Sequence, residues 1–162
     1  MPMEKYFVSQ NSQYSNYILI VEDNEDDIAL TRRALSKSDI QSDVVIARDG
    51  QEAIDYLLGK ENSGEETSTT TKDSNLPLFV LLDLNMPRVN GLEVIKRVRS
   101  HPRTQSLPIV VLTTSDERSD VINSYKFGAN SYVRKPLDNN QFVAAIQCLH
   151  LYWKEHNVPP PH

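Results

Sequence analysis

Five short apolar runs punctuate the chain, and each is followed by a segment whose apolar residues recur at helical spacing. The runs are Tyr17 to Val21, Val44 to Ala47, Leu78 to Leu82, Ile109 to Leu112 and Tyr132 to Val133. A strand buried on one face alternates apolar and polar residues, whereas a strand covered on both faces is apolar nearly throughout. These runs are of the second kind. They predict parallel strands, which need crossover helices and carry those helices on both faces. The fold class that follows is α/β, a doubly wound five-stranded parallel sheet.

The intervening segments carry their own starts and stops. The first helix begins near Asn24, with Glu25, Asp26 and Asp27 in the first turn, where the positive helix end favours acids, and with Ile28, Thr31 and Leu35 on one face. Asp49 precedes a second helix carrying Ala53, Ile54, Leu57 and Leu58, and Asn90 caps a third in which Leu92, Ile95 and Val98 repeat. The fourth is predicted from Asp116 to Phe127, stopping at Gly128, and the fifth opens at Asp138 with Gln141 completing a capping box. In that last helix Phe142, Ile146, Leu149 and Trp153 form the core stripe, while Leu151 points away from it.

The same pattern divides the chain into a polar tail over 1–16, one domain over 17–155 and a proline-rich tail over 156–162. Within the domain, 60–77 reads as an exposed insert, because Asn62 to Thr71 is too polar to bury apolar surface and order itself. A tolerated surface insertion is the favoured reading, since lengthening a loop is cheap; a phosphorylatable Ser/Thr loop is the alternative.

Composition narrows the function by exclusion. A net charge of −5 leaves no basic stripe for a phosphate backbone, so direct nucleic-acid binding is not expected. No apolar stretch approaches the roughly 20 residues of a membrane span, and the start lacks the apolar segment of a secretory leader. The single cysteine, Cys148, allows no internal disulfide and reads as a packing residue. A cytoplasmic protein without membrane contact is expected.

The chemistry lies at the ends of the runs. The third delivers Asp83 into Leu84-Asn85-Met86-Pro87, and the first delivers Glu22 and Asp23. In an open parallel sheet the carboxyl ends of strands converge where ligands bind. Three acids there repel one another unless a cation or proton offsets them, and hard carboxylate oxygens with no His or Cys beside them suit Mg²⁺. The fourth run ends in Thr113, Thr114 and Ser115, and the fifth in Arg134-Lys135-Pro136. A nucleophile, metal ligands, a hydroxyl and a cation together fit phosphoryl transfer, which needs positioning and charge neutralisation above all.

With these residues in place the chain resembles the receiver domain of two-component response regulators. The likeness rests on Val21-Glu22-Asp23-Asn24, on Leu82-Asp83-Leu84-Asn85-Met86-Pro87, on Leu112-Thr113-Thr114 and on Gly128 to Pro136, with Thr113 30 residues and Lys135 52 residues beyond Asp83. The resemblance implies a flavodoxin-like (βα)5 fold and a phospho-acceptor at Asp83. Glu22, Asp23, Asp83 and the Asn85 carbonyl would hold Mg²⁺, and Thr113 and Lys135 would hold the phosphoryl oxygens. Tyr132 would be the aromatic switch, Asn85 and Ser115 would set the phosphoryl lifetime, and Lys135-Pro136 would be cis. The alternatives are helix capping for Thr113, an ordinary strand aromatic for Tyr132 and loop polarity for Asn85 and Ser115. Neither His101 nor His150 is expected to donate a phosphoryl group.

The insert and the Tyr152-Trp153-Lys154-Glu155 end resemble the stand-alone regulators paired with cyanobacterial and bacterial phytochromes. That narrower resemblance implies a phytochrome-like sensor histidine kinase as partner. It also implies a homodimer through the fourth helix, fifth strand and fifth helix, with Val143, Leu151 and Tyr152 in the interface. The expected activity is a switch rather than turnover. A catalytically silent receiver serving as a docking scaffold is the alternative; a phosphatase is disfavoured because Asn85 stands where a second Asp is required.

Overall fold

The computed structural model describes residues 16–59 and 76–160. In chain order they form β1 (Tyr17–Val21), α1 (Glu25–Ser36), β2 (Asp43–Ala47), α2 (Gly50–Leu58), β3 (Val80–Leu82), α3 (Gly91–Arg99), β4 (Ile109–Thr113), α4 (Arg118–Phe127), β5 (Ser131–Arg134) and α5 (Asn139–Leu151), closed by a π-helical turn over Tyr152–His156. The strands lie in the order β2-β1-β3-β4-β5 and every pair is parallel. The chain therefore leaves β1 in one direction and resumes at β3 in the other, which opens a crevice beyond the carboxyl ends of those two strands.

Period-two alternation sorts the strand residues between two cores. Leu19, Val21, Val80, Leu82, Ile109 and Val111 meet Ala53, Ile54 and Leu57 of α2 and Val94, Ile95 and Val98 of α3. Ile18, Ile20, Phe79, Leu81, Val110 and Leu112 meet Ala34 and Leu35 of α1 and Phe142 and Ile146 of α5. Each of the larger side chains among them contributes about 1.5–3 kcal/mol on burial, so β1, β3 and β4 are sealed on both sides and their ends are held firmly. The expected doubly wound sheet is the one found. Asn24, Asp49, Asn90 and Asp138 each accept the backbone N–H three residues on, a cap worth about 1 kcal/mol.

Several local expectations are corrected. The fourth helix starts at Arg118 rather than Asp116, because the Ser115 hydroxyl accepts Glu117 N–H and donates to Asp120, turning the chain before the helix. The expected exposed insert does not reach 77: Leu76 and Pro77 are buried, and Leu76 joins the core on the α2–α3 side. Residues 60–75 of that insert and 1–15 of the tail lie outside the described residues, as do 161–162. Cys148 is exposed, not packed, because it lies on the outer face of α5.

His150 is fully buried in line with Phe142 and Ile146. Its Nε2 lies 2.8 Å from the Ser42 hydroxyl, which donates to Asn16 Oδ1 at 2.8 Å, so Nε2 carries the proton. Among the described residues Nδ1 has no partner, and burial pushes the imidazole below its ordinary value of 6.5. A base held neutral in the fold binds fewer protons than it does unfolded, so stability is lost as pH falls below about 6.5. Denaturation of His150→Phe at pH 7 and pH 5 is expected to show a smaller acid loss than the wild type; an equal loss would mean that other groups carry the acid sensitivity.

Candidate functional site

Ladder hydrogen bonds continue one residue past three strands and set the reactive side chains abreast. Glu22 N–H donates to Ala47 O at 3.0 Å, Asp83 N–H to Val21 O at 3.0 Å and Lys135 N–H to Thr113 O at 2.7 Å. Glu22 and Asp83 are buried, while Asp23 is exposed at the rim. One carboxylate oxygen from each of the three lies within 4.8 Å of the others. That spacing and that all-oxygen donor set fit a hard divalent cation such as Mg²⁺.

Lys135 reaches this group from the end of β5. Its ammonium donates to Glu22 Oε2 at 2.6 Å and to Asp27 Oδ2 at 2.8 Å, and stands 3.5 Å from Asp83 Oδ2. The described residues contain no cis peptide bond, so Lys135–Pro136 is trans, contrary to expectation. The trans form is the intrinsically favoured one, and from it the lysine already spans the three acids. Asp27 was legible only as a helix-start charge. Its place beside Lys135 raises the local acids from three to four, with one ammonium among them.

Burial, with the Asp83 charge acting the same way and the Lys135 hydrogen bond opposing it, pushes the Glu22 carboxyl up to about 7. For Lys135, burial alone lowers the ammonium, but its hydrogen bonds to Asp27 and Glu22 outweigh that and leave it raised. The lysine is thus firmly cationic.

The backbone around Asp83 is shaped by Gly91, the first residue of α3. A Cβ there would stand 2.4 Å from Asp83 O, and Gly91 N–H donates to Leu84 O at 3.0 Å. The bare glycine lets α3 close against the acceptor loop, where Arg88 adopts a φ of 68°. Asn85 is exposed, and its N–H makes a long 3.4 Å contact with Asp83 Oδ1.

On the far side, Thr113 is fully buried and its hydroxyl oxygen accepts Ser115 N–H at 3.3 Å. Tyr132, half-buried, donates from its hydroxyl to Ser115 O at 2.9 Å. One residue, Ser115, therefore couples the Thr113 hydroxyl to the Tyr132 ring. The three residues assigned to the interface lie elsewhere: Val143 is half-buried against the α1–α5 core, while Leu151 and Tyr152 are 43% and 50% exposed. A separate cavity of about 800 Å³ lies at the amino ends of β4 and β5, lined by Arg99, Asn130, Ser131, Tyr152 and Trp153. Arg99 is bonded there to Gly128 O and to Asn130 Oδ1, both at 2.8 Å.

Residues 18–147 match the response regulator receiver domain family. The chain belongs to that family. It is 34% identical over 148 residues to response regulator Rcp1 of a Synechocystis species, covering 91% of this chain and 95% of that protein. The crystal structure of the phosphorylated cyanobacterial phytochrome response regulator RcpA superposes with a TM-score of 0.79 at 33% identity, over 90% of this chain and 99% of that one. The Mn²⁺-bound form of Rcp1 gives 0.78 at 33% identity, over 91% and 100%. This receiver is thus related to phytochrome response regulators, as its insert and carboxyl-terminal helix led us to expect.

Proposed function

We propose that this receiver is a phosphorylation-switched, cytoplasmic signalling regulator in which Asp83 accepts a phosphoryl group from a phytochrome-type sensor histidine kinase. The observation that carries the reading is the meeting of Glu22, Asp23 and Asp83 within 4.8 Å, with Lys135 3.5 Å from the acceptor carboxylate. Mg²⁺ held by Glu22, Asp23, Asp83 and the Asn85 carbonyl would neutralise the acids and the phosphoryl oxygens. That the relative Rcp1 has a Mn²⁺-bound form supports a divalent-cation site in this receiver.

A carboxylate oxygen of Asp83 forms the new O–P bond as the bond from phosphorus to the donor breaks, and the leaving group departs with the bonding pair. Lys135 donates to the phosphoryl oxygens. The Thr113 hydroxyl accepts from Ser115 N–H, so its own proton is the one offered to the phosphoryl group. Drawing Thr113 toward that group moves Ser115, and Tyr132 follows through its bond to the Ser115 carbonyl. Asn85 and Ser115 flank the acceptor and control the approach of hydrolytic water. The module switches rather than turns over substrate, needs no nucleic acid, and signals by binding other proteins and a second copy of itself.

Incubation with acetyl phosphate, with Mg²⁺ or with chelator, followed by intact mass measurement, tests this directly. A gain of one phosphoryl group only with metal is expected. No gain under either condition would leave a silent docking scaffold as the better reading.

A further inference from the structure

Lys135 has three protons to donate, and two are spent on Glu22 and Asp27 at hydrogen-bond distances of 2.6 and 2.8 Å. The 3.5 Å approach to Asp83 is a charge contact and longer than either. Charge-assisted bonds of the shorter kind are the strong ones, so the ammonium is held mainly by the two residues other than the acceptor. Asp27 is itself anchored. Its N–H donates to Asn24 Oδ1 at 3.0 Å, its carbonyl accepts from the Thr31 hydroxyl at 2.7 Å, and it sits in the first turn of α1. Its side chain is 28% exposed against 6% for Lys135, so it grips the lysine from the rim of the site.

We propose that Asp27 is a positioning residue that shares the Lys135 ammonium with Glu22 and thereby limits the hold of that ammonium on Asp83 and on a phosphoryl group carried there. The inference rests on the phosphoryl reading of the site. Glu22 belongs to the set of three acids whose oxygens converge, and a cation bound by that set weakens its claim on the lysine. Asp27 stands outside the set and keeps its claim. It is the acceptor with which phosphoryl oxygens must share the ammonium.

Beryllofluoride, a phosphoryl mimic, reads this competition when its Mg²⁺-dependent binding is followed by fluorine NMR. Asp27→Asn keeps the shape and removes the charge; it is expected to lower the half-saturating beryllofluoride concentration about five- to tenfold, the size of an ordinary coupling between sites. Asp27→Glu restores the acceptor and should stay near wild type. The deciding comparison is made in a Lys135→Ala background, where Asp27→Asn should change binding less than about twofold, because effects carried through a shared partner do not add. An unchanged midpoint in Asp27→Asn overturns the inference, and so does a full gain that persists without Lys135, which is the mark of a general field effect. Wild type that takes up no beryllofluoride at all sinks this inference together with the phosphoryl reading, whereas uptake with no Asp27 effect sinks the inference alone.

Discussion

Asp83→Asn is expected to gain no phosphoryl mass from acetyl phosphate and Mg²⁺ under conditions in which the wild type gains one group. The prediction discriminates because four carboxylates share the site and two of them are already committed elsewhere. Glu22 is buried with both oxygens engaged, Oε1 by Asn24 N–H at 3.1 Å and Oε2 by Lys135 at 2.6 Å. Asp27 has an oxygen committed to Lys135 and stands outside the converging set. Asp83 follows the central strand directly, and among the described residues its oxygens meet only the long 3.4 Å Asn85 N–H contact and the Lys135 ammonium at 3.5 Å, so they are the least engaged and a cation waits for the incoming charge. Asp23, exposed at the rim, is the competitor. If the asparagine variant labels as readily as wild type, Asp23 is the nucleophile and the assignment fails. Misfolding is an unpromising explanation for a loss of labelling, because the substitution is isosteric and removes one of several mutually repelling acids; the melting temperature should hold or rise.

How far the site was legible depended on whether a residue's position followed from the sheet alone. Glu22, Asp23, Asp83, Thr113 and Lys135 could be gathered from the sequence because each closes an apolar run, and parallel strands bring their carboxyl ends to one edge. The four capped helix starts followed from local chemistry in the same way. Asp27 could not be placed so, since an acid in a first helical turn is accounted for by the helix dipole, and only the folded structure sets it 2.8 Å from the Lys135 ammonium. His150 continues the Phe142–Ile146 spacing, yet a polar type argues against burial until Ser42 is seen to supply its partner. Gly91 was hidden for another reason. Its role is to be absent at the Cβ, and that is visible only when Asp83 O is found 2.4 Å from where the atom would lie.

The assembly prediction is the other large effect: Leu151→Glu is expected to convert a dimer into a monomer. On α5 the residues Ala144, Cys148 and Leu151 are exposed and recur at helical spacing, followed by the exposed Tyr152. Single exposed apolar side chains are ordinary on a soluble surface, whereas an aligned row of them is the kind of surface that suits a partner. Tyr152 is also stiff, packed edge-on to Trp153 at 4.9 Å, which stacks on the buried Phe79 at 6.2 Å, and rigid aromatics anchor interfaces well. Ile122 and Tyr125 of α4, the helix packed beside β5, are each about half exposed as well. A two-fold contact uses the same surface on both copies, so glutamate at 151 brings two buried charges into an interface that includes this row. Because Leu151 is 43% exposed in the single chain, the monomer itself should lose little, within about 0.5 kcal/mol for a surface change. Light scattering reads the mass, and thiol labelling of the exposed Cys148 should slow as the wild type associates but not in the variant. A wild type that scatters as a monomer at high concentration, with and without beryllofluoride, ends the dimer proposal while leaving the chemistry at Asp83 as it stands.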